Sequence, residues 1–267
     1  MSHSALIPGS HSSRPIFTDT HCHIHDPEFF PSGGDEPYEH ARSAGVQRLL
    51  CVGTDIQSSK DAVVFCTEKE GAYAVVGIHP HDAEKEHTGA SDFFDWCGQQ
   101  KGKKVVGVGE IGLDYYYENS PREKQIELLE KQIELAFRLD LPVSFHVRDA
   151  FADFWPVIDN FHGIRGVLHS FTDTLENMEK GLERGLFIGV NGIATFARDR
   201  DEVTKAVPID RMVFETDAPF LTPVPLRGKV NVPGNVPLIA SFVADLRGIT
   251  VEELSQRTER NVNRLFF

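Results

Sequence analysis

The stretch KVVGVGEIGLD at residues 104–114 is followed by SPREKQIELLEKQIELAFRLDL at 120–141 and by PVSFHVR at 142–148. The first and third segments are short, apolar, and too continuous for strands that have one face in water. Such runs are typical of parallel strands that are buried on both faces. The middle segment instead has its apolar residues at helical spacing. The stretch therefore predicts a strand, a helix and a second, parallel strand.

The helix in this stretch has a start signal of its own. Ser120 is placed to cap its amino terminus, Pro121 fits the first helical position, and Glu123 can complete a capping box with Ser120. An apolar stripe follows at helical spacing and comprises Ile126, Leu129, Ile133, Ala136 and Phe137. We therefore expect an amphipathic helix that packs this stripe against the neighbouring strands.

The same alternation continues along the whole chain. Other apolar runs lie at 16–24, 46–54, 73–80, 166–171, 186–192 and 211–219. Other helical patterns lie at 58–70, 91–100, 149–160, 174–185, 235–248 and 251–267. Eight strands that alternate with helices predict a single-domain (β/α)8 TIM barrel, of class α/β, over residues 15–267, with 1–14 as a flexible tail. An open, doubly wound sheet is the alternative, but no glycine-rich dinucleotide fingerprint follows the first strand.

The composition narrows the class of protein. The chain has 267 residues with 40 acidic and 27 basic side chains, so its net charge of −13 argues against a broad nucleic-acid-binding surface. A nucleic acid held locally by metal ions remains compatible with this charge. We find no run of about 18 apolar residues and no signal-peptide pattern. The four cysteines form no CxxC pair, so we expect reduced thiols in a cytoplasmic protein. We also expect no membrane contact and no obligate protein partner.

Polar residues gather at the predicted strand ends. In a (β/α)8 barrel, catalytic groups come from the carboxyl ends of the strands, which share one rim. Six of the eight predicted strands end in a His, Glu or Asp residue. These residues are His21 and His23, His79 and His81, Glu110 and Asp114, His146, His169 and Asp217.

The segment DTHCHIHD at 19–26 shows how this rim is built. Strand side chains alternate between faces, so His21 and His23 point together into the barrel mouth while Cys22 points into the helix layer. With His146, His169, Glu110 and Asp217, the rim offers four imidazoles and two carboxylates. Imidazoles suit Zn, Fe, Ni and Cu, and carboxylates admit Mn and Mg. Six ligands exceed the need of one tetrahedral ion, which favours a two-metal site with a bridging carboxylate.

Several motifs, taken in order, resemble those of the TatD-like metal-dependent deoxyribonucleases, a branch of the amidohydrolase-type barrels. They are DTHCHIHD at 19–26, GIHPHD at 77–82, GVGEIGLDYY at 107–116, PVSFHVRDA at 142–150, LHSFTD at 168–173 and ETDAPFLTP at 215–223. The resemblance covers nearly the whole chain after residue 14. It implies that His21, His23, Glu110, His146, His169 and Asp217 are metal ligands, with Glu110 as the bridge. It also implies endonuclease or 3′–5′ exonuclease action on DNA, whereas some similar proteins remove D-amino acids from tRNA.

From this pattern we expect two divalent ions, Mg, Mn or Zn, that share Glu110. His21, His23 and Asp217 would complete one site, and His146 and His169 the other. A metal-activated water would cleave the phosphodiester bonds of DNA, as single strands or at 3′ ends. We predict Asp217 as the general base, with Glu110 and His79 as the other catalytic residues.

Three residues are predicted to bind substrate. His81, like His79, would contact a phosphoryl oxygen or the leaving group, although packing in the loop is an equal alternative. Arg148 would clamp a phosphate, the alternative being a salt bridge to Asp149 or Asp153. Tyr115, in the run Tyr115–Tyr117, would stack on a base or form a wall of the mouth.

Two other functions use the same residues. The first is an ester or amide hydrolase, including a D-aminoacyl-tRNA deacylase that acts on tRNA, because two metals polarise a carbonyl as readily as a phosphoryl group. The second is a metal-binding protein without activity, although structural zinc sites usually have four closed ligands that are often thiolates. One departure from the family bears on substrate choice: Val230 stands where an arginine is common, with Arg227 and Lys229 close by.

Overall fold

All eight predicted strands are present in the computed structural model, which describes residues 15–267. The predicted tail at 1–14 lies outside the described residues. The strands are Phe17–Cys22 (β1), Val46–Val52 (β2), Ala72–Val76 (β3), Val105–Asp114 (β4), Val143–Arg148 (β5), Gly166–Leu168 (β6), Phe187–Val190 (β7) and Met212–Phe214 (β8). They pair in parallel and in chain order, which confirms the barrel and excludes the doubly wound sheet.

The sheet nearly closes on itself through the segment after β8. The backbone N–H of Asp217 donates to the carbonyl of His21 at 2.8 Å, and that of His23 donates to Ala218 at 2.9 Å. The sequence predicted that β8 would run through this segment to residue 219, and this is wrong, because the strand ends at Phe214. Asp217 instead has a left-handed backbone, with φ +56°.

The helices cover the outside of the barrel. They are Asp35–Ser43 (α1), Ile56–Glu68 (α2), Ala90–Gln100 (α3), Arg122–Leu139 (α4), Phe151–Asp159 (α5), Leu175–Glu183 (α6), Asp201–Ala206 (α7), Val236–Arg247 (α8) and Val251–Phe266 (α9). Within residues 15–267, none of them combines the length and apolar character that crossing a bilayer requires. Helices α1 and α7 were not predicted, since both are short and largely polar.

The start of α4 differs from the predicted capping box. The helix begins at Arg122, and no side chain within residues 15–267 caps it. The Ser120 hydroxyl instead donates to the carbonyl of His81 at 2.7 Å and accepts the N–H of Glu84 at 3.1 Å. Ser120 therefore fixes the loop that carries His81, and a contact distant in sequence has replaced the local cap.

Two apolar clusters set the orientation of the barrel. Cys22 is buried in the larger cluster together with Ala62 and Cys66 of α2, so its side chain faces the helix layer as predicted. The smaller cluster joins strand residues such as Leu50 and Val75 to the end of α9. Because α9 covers the end where the strands begin, the polar rim lies at the opposite end.

Candidate metal centre

The strand ends bring the six predicted ligands to one rim. Two lie within strands β4 and β5, one near the end of β1, and three just beyond β1, β6 and β8. This is the arrangement that parallel strands of a barrel impose, since their carboxyl ends all face the same way. The residues concerned are Glu110, His146, His21, His23, His169 and Asp217.

Glu110 lies at the middle of the cluster. Its Oε1 atom is 2.7 Å from Nδ1 of His146 and 2.9 Å from Nε2 of His169. Its Oε2 atom is 3.3 Å from Nε2 of His21, and Nε2 of His79 lies 3.7 Å from Oε1. Four imidazoles therefore surround one buried carboxylate, which is the position that a bridging ligand requires.

Asp217 supplies the second carboxylate. Its Oδ1 atom lies 3.4 Å from Nε2 of His23 and 3.9 Å from Nε2 of His21. The loop that carries it is held by the buried side chain of Asn231, whose amide donates to the carbonyls of Thr216 at 2.9 Å and Phe220 at 2.7 Å. The placement of Asp217 thus depends on hydrogen bonds from a residue far along the chain.

Among residues 15–267, three groups of side chains have ligand atoms that all lie within 4.8 Å of one another. They are His21 with Glu110 and His169, His21 with His23 and Asp217, and His79 with Glu110 and His146. This grouping differs from the expected pairing of His169 with His146, because the His169 ring stacks on His21 with centroids 3.8 Å apart. Glu110 and His21 each belong to two groups, but only the carboxylate of Glu110 can bridge two ions, whereas Nε2 of His21 can bind one.

The hydrogen bonds of the imidazoles test whether these residues fit a divalent cation. Nδ1 of His23 lies 2.7 Å from the carbonyl of Val52, which only accepts, so we assign the proton there and leave Nε2 free to face Asp217. Nε2 of the buried His21 lies 3.3 Å from Oε2 of Glu110 but makes no well-aligned hydrogen bond within residues 15–267. An unpaired buried nitrogen is costly, and backbone-oriented histidines are typical of metal ligands. The residues fit.

The ionised carboxylates agree with this conclusion. Burial alone would raise the pKa of the Glu110 carboxyl, but the imidazoles of His169 and His21 hold it well below its ordinary value. Burial likewise opposes the shift at Asp217, where the hydrogen bond with His23 lowers the pKa. Burial lowers the pKa of His21, whereas the carboxylates of Asp217, Asp114 and Glu110 outweigh burial and raise the pKa of His23, His146 and His169. A divalent cation would take the place of the protons on these three rings, since metal binding releases protons from its ligands.

Asp114 orients one of these imidazoles. This buried carboxylate lies 2.9 Å from Nε2 of His146 and 3.0 Å from Nε2 of His81 through Oδ2. Its Oδ1 atom accepts the backbone N–H groups of Tyr116 at 3.0 Å and Tyr117 at 3.1 Å. Because Asp114 occupies Nε2 of His146, Nδ1 of that ring is directed at Glu110.

We expect the substitution Asp114→Asn to weaken metal binding by about 10- to 100-fold, which is the usual cost of losing the carboxylate that orients a ligating histidine. An asparagine has only one acceptor oxygen and cannot receive all four hydrogen bonds. Calorimetric titration with Mn²⁺ measures the effect, with the exposed Asp140→Asn as the matched control. If both variants bind Mn²⁺ as the wild type does, Asp114 does not orient His146.

The predicted substrate residues fall in two different environments. Arg148 is exposed, with its guanidinium 4.0 Å from the ring centroid of Tyr116 and 4.9 Å from that of Tyr117. Its alternative salt bridge to Asp149 or Asp153 is not formed among residues 15–267, where Asp153 instead accepts the hydroxyl of Tyr115 at 2.9 Å. Tyr115, in contrast, donates its hydroxyl to Asp153 at 2.9 Å and packs against Arg122. The Tyr115 ring is therefore less exposed than the next two rings, and its contact with substrate stays a prediction.

His81 remains at the edge of the cluster. Its Nε2 bonds to Asp114, and its ring lies 4.3 Å from that of His79. Arg227 does not replace the arginine that the family often has at position 230. Its Nη1 donates to Thr222 at 2.9 Å and its guanidinium lies 3.8 Å from the Phe196 ring, so it supports its own loop.

Two buried carboxylates were missed by the sequence reasoning. Glu215 accepts the N–H of Ser170 and lies 3.6 Å from Nδ1 of His169. Asp19 accepts the N–H groups of His21 at 3.2 Å and Thr216 at 2.9 Å, and burial raises its pKa to about 8. Each lies two residues before a predicted ligand, in DTH and ETD, so the period of two that revealed the ligands could have revealed these residues as well.

Comparisons with known proteins agree with the geometry. The model of the family described as TatD related DNase matches residues 18–267. An uncharacterized metal-dependent hydrolase, YabD of Bacillus subtilis, is 35% identical over 253 residues, which covers 93% of this chain and 98% of that protein. The 3′–5′ ssDNA/RNA exonuclease TatD of Cronobacter sakazakii is 35% identical over 249 residues, which covers 89% of this chain and 93% of that protein.

A solved structure shows the same fold. The crystal structure of YJJV, a TatD homolog from Escherichia coli K12, superposes with a TM-score of 0.87 at 29% identity. The match covers 94% of this chain and 97% of that one. The barrel and its order of strands are therefore those of a known group of proteins.

Proposed function

Because the chain belongs to the family of TatD-related DNases, we propose that its metal centre cleaves the phosphodiester bonds of DNA, with a preference for single strands or 3′ ends. Family membership makes it a metal-dependent hydrolase. The observation that supports the proposal most is the group of four imidazoles around the buried Glu110 carboxylate. The name of the Cronobacter relative, an exonuclease for single-stranded DNA and RNA, supports the choice of substrate.

Two divalent ions would be held on either side of Glu110. His21, His23 and Asp217 would hold one, and His146 and His169 the other, with the mixed nitrogen and oxygen ligands suiting Mg, Mn or Zn. When bound, such ions lower the pKa of water toward about 7 and stabilise charge on phosphoryl oxygens. Asp217 is our candidate for the base that takes the proton from this water, because its carboxylate stays ionised and reaches the rim.

His79 is suited to donate rather than to bind metal. Its Nδ1 accepts the backbone N–H of His81 at 3.1 Å, so the proton of the neutral ring sits on Nε2. Burial and the nearby His146 lower the pKa of His79 well below its ordinary value, which keeps the ring neutral. The Nε2–H group, on the side that faces Glu110, can therefore donate to a phosphoryl oxygen of the substrate.

The experiment that tests this function is turnover on a panel of substrates after metal removal. We expect chelation to abolish turnover and Mn²⁺, Mg²⁺ or Zn²⁺, added singly, to restore it on single-stranded DNA. The panel includes duplex DNA, RNA, D-aminoacyl-tRNA and a carboxylic ester, with the Glu110→Gln protein as a control for contaminating nucleases. Faster cleavage of D-aminoacyl-tRNA than of DNA would replace this proposal by the deacylase function, and no turnover on any substrate would exclude both.

A further inference from the structure

We propose that Tyr116, Tyr117 and Arg148, here called the tyrosine platform, bind the base of an unpaired nucleotide next to the metal centre. This inference rests on the proposed function, because it names the part of the substrate that the rim of the same site recognises. It implies that the enzyme binds a base and a phosphate of its substrate on the side of the barrel mouth formed by β4 and β5.

The platform presents aromatic surface to solvent at the rim. The Tyr116 and Tyr117 side chains are 58% and 55% exposed, directly after the end of β4. Their rings pack edge to face, with centroids 4.8 Å apart, and the Tyr117 ring lies 5.5 Å from that of His81. Exposed aromatic rings beside a polar site are typical of surfaces on which nucleobases stack.

The platform is fixed relative to the metal centre. Asp114 accepts both tyrosine N–H groups through one oxygen and contacts His146 and His81 through the other. The N–H of Tyr115 donates to the carbonyl of Arg148 at 2.9 Å, which ties the segment to β5. A single carboxylate thus holds a proposed ligand and the backbone of both tyrosines, so the two rings start from a fixed position beside the metal centre. Such preorganisation lowers the entropy lost on binding.

Arg148 gives the platform its charge. Its guanidinium covers the Tyr116 ring at 4.0 Å, and among residues 15–267 it forms no salt bridge, since the nearby Asp153 accepts the hydroxyl of Tyr115 instead. Its N–H groups can bind a phosphate in bidentate fashion while its flat face stacks on a ring. Rings and an unpaired guanidinium together match a nucleotide, which has both a base and a phosphate.

The opposite side of the mouth has an exposed aromatic ring over which no lysine or arginine of residues 15–267 is stacked. Phe220 is 47% exposed and packs against Phe29 at 5.2 Å, and Val230 is 63% exposed. Arg227 is directed at the Phe196 ring instead. Phe220 therefore provides a comparator that shares exposure and aromatic character with the platform but lacks its charge.

Steady-state kinetics with two oligonucleotides tests the inference. One is an ordinary single strand, and the other has abasic residues at the positions next to the cleaved bond. We expect Tyr116→Ala and Tyr117→Ala to raise KM for the ordinary strand between about 5-fold and 150-fold, the range for losing one stacked base, with kcat changed less than about twofold. Tyr116→Phe should keep the wild-type KM, and the alanine variants should match the wild type on the abasic strand.

The controls separate this inference from the proposed function. If the wild type does not cleave DNA, the proposed function fails. If it does, an unchanged KM for both alanine variants overturns the platform, as does an equal rise on ordinary and abasic strands. A rise in KM that occurs only in Phe220→Ala would place the base on the opposite side of the mouth and would also overturn the tyrosine platform. Thermal melting of each variant verifies that the fold is retained.

Discussion

Turnover on single-stranded DNA is expected to fall by about 10²- to 10⁴-fold when Glu110 is replaced by glutamine. The side chain keeps its shape, but the charge that meets His146, His169 and His21 is lost. Removing one partner of a buried charged pair typically costs about 3–5 kcal/mol, and each 1.36 kcal/mol of barrier corresponds to about a tenfold change in rate. Single-turnover assays with saturating Mn²⁺ measure this loss.

The matched control for Glu110 is Glu134→Gln, which makes the same change at an exposed position on α4. We expect that variant to keep wild-type turnover. Binding of Mn²⁺ by Glu110→Gln should weaken in parallel with its rate, because the same carboxylate contributes to two groups of ligand atoms. Near-normal turnover in Glu110→Gln would remove the carboxylate from the reaction.

The second large effect is expected for Asp217→Asn, for which kcat should fall by about 10²- to 10⁴-fold, the usual contribution of a general base. Asparagine can still accept a hydrogen bond from His23, but it cannot take a proton. KM for single-stranded DNA should change little, since Asp217 lies on the opposite side of the mouth from the exposed tyrosines. Full progress curves on a labelled oligonucleotide give both constants.

The exposed Asp199→Asn serves as the control for this substitution, since it lies outside the centre. Its kcat should equal that of the wild type. If Asp217→Asn retains more than about half of the wild-type kcat, another group takes the proton, and His79 is then the next residue to replace. Circular dichroism and melting exclude loss of the fold in either variant.

Much of the barrel could be predicted from local sequence, because apolar runs and helical stripes are encoded within single elements. The period of two within β1 was enough to place His21 and His23 on one face and Cys22 on the other. The order of the strands then followed from the rule that parallel strands need helical crossovers. All eight strands lie where these patterns predicted them.

What the sequence did not predict depends on contacts between distant residues. Ser120 forms hydrogen bonds with the backbone of His81 and Glu84 instead of capping α4. The end of β8 depends on Asn231, which holds the turn that carries Asp217. No local pattern encodes such contacts. The predicted length of β8 was therefore wrong, although Asp217 was identified as a site residue.

The stacking of two proposed ligands is a further feature that the sequence did not predict. Stacking of His169 on His21 brings two distant strands together, and a single sequence contains no signal for it. Tyr115 is less exposed than Tyr116 and Tyr117 because its side chain contacts Asp153 and Arg122. Spacing within a strand predicts the face on which a side chain lies, whereas tertiary contacts decide its neighbours.

The most direct test of the metal centre is anomalous diffraction from crystals soaked in zinc and measured at the zinc absorption edge. We expect two peaks, one on each side of Glu110 and each about 2 Å from its nitrogen and oxygen ligands, among His21, His23, His146, His169 and Asp217. Peaks only at other places, or none within bonding distance of Glu110, would contradict the assignment of these six residues.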